Sequence, residues 1–324
     1  MNRVDALGKC VEEALLSLPL LKAEPQELYR PICYALASGG KRIRPLLTLL
    51  VCDAFGGEVE ECMPVALAHE VFHNFTLLHD DVMDNSPMRR GRPSVMKQFG
   101  VNSAILSGDA MLVYAFELLG KTDTERFSLL FPRFCAMSSE VMEGQQWDMK
   151  FEEREDVSVE EYLEMIRLKT AVLLASAACS GAIMAKASPQ DRQEIYDYAL
   201  NLGMAFQLQD DFLDVYGDAE TFGKPIGGDI LEQKKTIMYL SAIQGASAER
   251  RQQLQDAYGL PKEFAEEKIV IVRELFDLCS VPQKVEQLID AYLLKSDTCL
   301  ERLAERYNTN DLRSLGNKLR HRKA

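Results

Sequence analysis

The stretch VALAHEVFHNFTLLHDDV, Val65 to Val82, carries apolar side chains at Val65, Ala68, Val71, Phe72, Phe75, Leu78 and Val82. Steps of three and four place them along one face of a helix, where a half-buried strand would alternate. The same spacing runs through most of the chain. It predicts helices over residues 2–18, 25–37, 43–54, 62–84, 94–98, 102–119, 124–149, 158–185, 189–215, 228–243, 247–257, 261–279 and 282–305, to within about two to four residues at each end. No two segments alternate as a strand pair would. Proline and glycine punctuate the text at SGGKRIRP (38–45), NSPMRRGRP (85–93), KASP (186–189), YGDAETFGKPIGGD (216–229) and YGLP (258–261), none of them long enough for an interdomain linker. The expectation is an all-α protein whose residues 1–324 form one large helical-bundle domain.

Composition narrows the function. With 324 residues, 47% of them hydrophobic, the chain can bury a large core. A net charge of -13 argues against nucleic acid and against an anionic membrane surface, so any polyanion must meet a local basic cluster. The eight cysteines form no CxxC pair and accompany no histidine set, and they read as reduced thiols of a cytoplasmic protein. Acids interrupt MNRVDALGKCVEEALLSLPL at the N-terminus where a secretory signal would be continuously apolar. The run AVLLASAACSGAIMA (171–185) falls short of the roughly 20 residues that span a bilayer and is rich in small side chains. It predicts a buried helix closely approached by its neighbours, and no integral membrane segment. NKLRHRKA (317–324) reads as a frayed basic tail.

The opening helix ends in acids. In HDDVMD, Asp80, Asp81 and Asp84 stand at i, i+1 and i+4, with His73 on the same side. FQLQDDFLD repeats the pattern, with Gln207, Asp210, Asp211 and Asp214 at i, i+3, i+4 and i+7. A solvated helix face would account for one such cluster, but both are set among Phe72, Phe75, Leu78, Phe206, Leu208, Phe212 and Leu213. Carboxylates this close repel unless a cation neutralises them, and hard oxygen ligands suit magnesium, which completes its shell with water and substrate phosphate. A di-iron site would want Glu-x-x-His pairs. HEVFH (69–73) matches the zinc-protease string H-E-x-x-H, with Glu70 as base, but no third ligand stands out.

Basic clusters flank the acids: Lys41, Arg42 and Arg44; Arg89, Arg90 and Arg92; Lys224, Lys234 and Lys235. Single exposed cations are ordinarily solubilising. Arginine beside a metal-binding face is different, because its fork pairs with phosphate while the metal takes other oxygens of the group. The glycines of SGGKR and PIGGD match neither nucleotide-binding loop, so the phosphate expected is not a nucleotide's.

Together, GGKRIRP, DDVMD with RRGRP, GQQWD (144–148), Lys169-Thr170, FQLQDDFLD and GKPIGGDILEQKKT resemble, in order, the motifs of the trans-isoprenyl diphosphate synthases. The resemblance implies an all-α isoprenoid synthase bundle with a central cavity, a prenyltransferase reaction between isopentenyl diphosphate and an allylic diphosphate, three Mg2+ ions, and a homodimer. It implies Asp80, Asp84 and Asp210 as metal ligands, supported by Asp81, Asp211 and Asp214. It puts Arg89, Lys169 and Lys224 on the allylic diphosphate, and Lys41, Arg44, His73 and Arg90 on the isopentenyl diphosphate, with Phe206 against its hydrocarbon. Thr170, Gln207 and Gln145 would line the reaction centre, and Asp229 and Lys234 would help close it. Phe75, with small Thr76 beside it, resembles the pocket floor of synthases that stop at twenty carbons, ahead of those that stop at fifteen. Met96 stands where many relatives carry histidine, and FEEREDVS (151–158) is unusually charged. A terpene cyclase would share the aspartate motifs but has no need of GGKRIRP. A non-catalytic partner subunit would show damage to one aspartate motif, and both are intact here.

Overall fold

In the computed structural model, which describes residues 2–217 and 226–320, the chain is helical almost throughout. The elements are α1 (Arg3–Leu16), α2 (Gln26–Leu36), α3 (Ile43–Ala54), α4 (Val59–Met83), α5 (Val95–Phe99), α6 (Val101–Leu119), α7 (Thr124–Glu153), α8 (Val159–Ile166), α9 (Val172–Met184), α10 (Pro189–Tyr216), α11 (Gly228–Leu231), α12 (Ile237–Gly245), α13 (Ala248–Tyr258), α14 (Ala265–Leu278), α15 (Val281–Ala304) and α16 (Asn310–Arg320). Local chemistry sets several starts. Asn2, Ser94 and Ser247 accept backbone N–H groups at their helix N-termini, and Ser158 with Glu161 forms a capping box at α8.

Four features depart from the sequence reading. The expected helix 228–243 is broken between α11 and α12, where Gln233 turns to φ 60° and the Lys234 N–H donates to the Asp229 carbonyl. The span 158–185 is interrupted by a π-helical turn, Arg167–Ala171. A two-stranded ribbon pairs Met88–Arg89 with Arg92–Pro93. Of the expected frayed tail 317–324, residues 317–320 are helical within α16, where Leu312, Leu315 and Leu319 are buried, and residues 321–324 lie outside the described residues.

The chain divides into two compact units, Met1–Cys135 with Ser176–Tyr196 and Leu303–Leu315, and Ala136–Ala175 with Asp197–Arg302 and Gly316–Ala324. In the first, α4 packs on α3 and α6. Fully buried Phe72 and Phe134 meet edge to face at 5.5 Å, each contributing about 1.5–3 kcal/mol by burial. The small residues of AVLLASAACSGAIMA act as expected: Ala177, Ala178 and Ala182 are fully buried, and the Thr48 hydroxyl donates to the Ala177 carbonyl at 3.0 Å. A Cβ on Gly181 would collide with the Thr48 carbonyl. The second unit is built around Met165, Leu208, Ile230, Met238, Val272 and Phe276. The segment Val159–Met184 has the length and apolarity to cross a membrane, but 83% of its most apolar window is buried within the protein. All eight cysteines are free.

Candidate active site

Both acid clusters fall at the C-terminal ends of long helices. Asp80 and Asp81 lie in the last turn of α4 and Asp84 is its C-cap, with its N–H donating to the Asp80 carbonyl at 2.8 Å. Asp210, Asp211 and Asp214 occupy the last two turns of α10. Carboxylates there oppose the helix dipole, an arrangement that asks for a cation.

Asp81 is 2% exposed, and Arg89 donates to its Oδ1 through Nε at 2.9 Å and Nη2 at 2.6 Å. Burial pushes the Asp81 carboxyl up and Arg89 pulls it down. The resemblance put Arg89 on the allylic diphosphate, and here the same side chain is held on Asp81. The ribbon does this: Arg90 (φ 52°) and Gly91 (φ 73°) turn the chain between its strands. Arg90 then donates through Nη1 to the Gly39 carbonyl. A Cβ on Gly40 would sit 2.9 Å from the Arg90 guanidinium carbon, so glycine is what admits this side chain.

Beside Arg90, Arg44 is half-buried, and its Nε has no hydrogen-bond partner among the described residues. Burial pushes its guanidinium down to about 10, against the pull of Glu70. His73 is held far below the ordinary histidine range by burial and then by Arg44, Arg90, Arg89 and Arg42, so it is neutral at pH 7. Lys41 is exposed. His69 belongs to the core: its Nδ1 meets the Val65 carbonyl at 2.9 Å, its Nε2 meets Ser176 Oγ at 3.2 Å, and burial lowers it to about 4. That leaves HEVFH no pair of histidines for zinc.

In the second unit, Tyr162 donates its hydroxyl to Asp211 Oδ2, and Gln207 Nε2 donates to Asp211 Oδ1 at 3.0 Å. Thr170 Oγ1 donates to Gln207 Oε1 at 3.1 Å. Both Asp211 oxygens are thus engaged by protein donors, which makes it an organiser of Gln207 and Thr170. Asp214 Oδ2 accepts the Asp229 N–H at 2.9 Å. Burial and Asp214 push Asp229 up to about 7, against Lys234; burial and Asp229 raise Asp211.

Lys169 and Thr170 ride on the π-helical turn. Lys169 Nζ lies 2.5 Å from Asp148 Oδ2, and Lys234 Nζ 2.8 Å from Glu232 Oε2. Gln145 is buried and Phe206 half-buried. Lys224 lies outside the described residues. Phe75 is buried, meeting Phe72 at 5.4 Å and His79 at 4.8 Å, and Thr76 Oγ1 donates to the His73 carbonyl. Tyr162, Asp148 and Glu70 were not among the expected site residues, although Asp148 closes GQQWD and Glu70 sits inside HEVFH.

Among the described residues no three His, Cys, Asp or Glu side chains assemble into a ready-made metal cage. The donor set nevertheless fits magnesium: hard carboxylate oxygens only, at the negative ends of helices, where Asp84 adds to the burial that raises Asp81 and Asp210 adds to the burial that raises Asp211. Magnesium dehydrates reluctantly and takes one or two carboxylates with substrate phosphate, so a complete protein cage is not what it needs.

The polyprenyl synthetase family model matches residues 25–277. The chain is 44% identical over 231 residues to a short chain isoprenyl diphosphate synthase of Methanothermobacter thermautotrophicus, covering 71% of each chain. It is 36% identical over 315 residues to a geranylgeranyl pyrophosphate synthase of Geoglobus acetivorans, covering 96% of each. A crystal structure of a geranylgeranyl pyrophosphate synthase superposes with a TM-score of 0.92 at 40% identity over 100% of both chains. A polyprenyl synthase from Caulobacter crescentus, complexed with calcium and isoprenyl diphosphate, gives 0.84 at 30% identity, covering 98% of this chain and 93% of that one.

Proposed function

We propose substrates, product and residue roles for a chain that belongs to the polyprenyl synthetase family and is a prenyltransferase. It joins isopentenyl diphosphate to an allylic diphosphate and makes geranylgeranyl diphosphate, with farnesyl diphosphate as the next product considered. The observation that carries this reading is that α4 and α10 each end in clustered carboxylates, with the cation Arg89 already held on Asp81 at the first of them.

Asp80, Asp84 and Asp210 would hold magnesium, three ions in number, with Asp81, Asp211 and Asp214 supporting them. When bound, the metal neutralises charge on the departing diphosphate. Arg89, Lys169 and Lys224 bind that diphosphate's oxygens and orient it, while Asp229 and Lys234 help close the site, so that the allylic C–O bond breaks with its electron pair leaving on oxygen. Thr170 donates its hydroxyl proton to Gln207 Oε1, which fixes the hydroxyl of Thr170 and the amide of Gln207 against each other. Lys41, Arg44, Arg90 and neutral His73 hold the second diphosphate, Phe206 lies against its hydrocarbon, and Gln145 lines the reaction centre. The double bond of isopentenyl diphosphate then attacks the allylic carbon, and the adduct gives up a proton to the released diphosphate. Apolar walls keep water from the cation.

Purified protein with Mg2+, isopentenyl diphosphate and dimethylallyl, geranyl or farnesyl diphosphate is expected to yield a twenty-carbon product on chromatography; no elongated product would overturn the reading. Phe75, packed against Phe72, is assigned as the floor of the tail pocket. Phe75→Ala is expected to extend the main product by one or more five-carbon units, and an unchanged distribution removes Phe75 from that role. A homodimer is proposed through the outer face of α6, where Val101, Ile105, Leu106 and Val113 are exposed. Sedimentation at twice 36.5 kDa is the expected result, and a monomer would refute it. The free thiols fit a reducing cytoplasm, the compartment proposed.

A further inference from the structure

The reaction above uses His73 of HEVFH and leaves Glu70 without a role. Glu70 is 2% exposed on α4. Its Oε1 accepts from Arg42 Nη1 at 2.8 Å and from Asn74 Nδ2 at 3.1 Å. Arg42 is itself 6% exposed, a buried cation inside a loop whose other basic residues were read as substrate ligands. All three of its guanidinium nitrogens are engaged by protein: Nη1 by Glu70, Nε by Glu12 at 2.9 Å, and Nη2 by Glu12 at 3.4 Å and by the Leu36 carbonyl. Four of its five N–H groups thus point at protein acceptors, and burial keeps the guanidinium from serving as an open phosphate ligand.

The backbone explains how one loop can send its cations in opposite directions. Arg42 is the N-cap of α3 and sits in the left-handed region, φ 44° and ψ 38°, a conformation uncommon for a side chain of this size. Gly39 and Gly40 before it also have positive φ. The inward anchor of Arg42 holds this shape while Lys41, its neighbour, stays exposed and Arg44, two residues on, lies half-buried beside Arg90. Glu70 is the buried anion common to the group, acting on Arg44 and Arg90 as well as bonding Arg42.

We infer that Arg42 and Glu70 form a positioning pair that shapes the loop Gly39–Arg44 for the diphosphate of isopentenyl diphosphate, without either side chain touching it. The inference rests on the assignment of Lys41, Arg44, His73 and Arg90 to that diphosphate. A purely structural pair would alter stability and leave the two substrates' KM values alike; a positioning pair separates them. Glu70→Gln keeps the shape and one acceptor but removes the buried charge that faces Arg42 Nη1. It is expected to raise KM for isopentenyl diphosphate about tenfold, with KM for the allylic substrate within about twofold and kcat at saturation changed far less than KM. Glu70→Asp keeps the charge and withdraws it by one methylene; a rise of about threefold is expected, a partial rescue. Circular dichroism and the unfolding midpoint report whether each variant is folded, and if the Gln variant is not, the Asp variant carries the same test. An unchanged KM for isopentenyl diphosphate in a folded variant, or an equal rise for both substrates, overturns the inference. Arg44→Ala separates the two levels: if it too leaves that KM unchanged, the site assignment fails, and if it alone raises KM, only the positioning pair fails.

Discussion

Asp80→Asn is expected to lower kcat about a thousandfold, the loss of several kcal/mol of charge stabilisation around the leaving diphosphate, and to do so without lowering the unfolding temperature. The two effects separate because Asp80 lies in the last turn of α4. A carboxylate there works against the helix dipole, so its removal should leave stability unchanged or raise it by about 0.3–1 kcal/mol. The rate is read in single turnover across a magnesium titration, and the midpoint by thermal melting. Activity retained within tenfold of the parent would take Asp80 out of the machinery, and a large fall in midpoint would mean that the residue is structural.

Gly144→Ala is expected to reduce kcat/KM about a hundredfold, the scale of misplacing reacting groups by an ångström. A Cβ on Gly144 would collide with the Lys169 backbone nitrogen and stand 2.8 Å from the Leu168 carbonyl carbon and the Lys169 Cα. These are main-chain atoms, which cannot swing aside as a side chain can. The π-helical turn carrying Lys169 and Thr170 must therefore shift, pulling Thr170 from Gln207 and Lys169 from Asp148. An overpacking loss of about 1–3 kcal/mol in stability accompanies it. Steady-state kinetics with both substrates and a denaturant curve measure the two effects; a variant with parental kinetics would show that the turn tolerates displacement.

The helical frame was legible because apolar spacing reports which face a helix buries, as in α1, whose buried residues are Val4, Leu7, Val11 and Leu15; α4 goes further and is buried on all sides from Val65 to Phe72. The acid clusters were legible for the same reason: charge repeating at helical spacing among aromatics has few structural explanations. Other features have no such periodicity. Glu232 to Thr236 lacks proline and glycine, so nothing in EQKKT marks the break that Gln233 makes with its positive φ. The ribbon at Met88–Pro93 depends on Arg90 in a conformation usually left to glycine. The final helix was misread because the basic content of NKLRHRKA outweighed Leu312, Leu315 and Leu319, whose spacing was helical all along. Partners of the expected residues were the hardest to see. Tyr162, Asp148 and Glu70 bond to or act on site residues from positions that sequence order alone does not connect.

The π-helical turn at Arg167–Ala171 also limits how the chain can vary in length. A π turn holds one residue more than an α turn over nearly the same rise, so everything on its N-terminal side is rotated by about 100° from where a continuous α-helix would put it. Deleting any single residue there could restore ideal hydrogen bonding and would swing the buried face of α8, with Tyr162, Met165 and Ile166, out of register with Lys169 and Thr170. A loop absorbs a lost residue by changing shape, whereas this segment would answer with a change of phase, and its residue count is therefore as much a determinant of the site as the identity of its side chains.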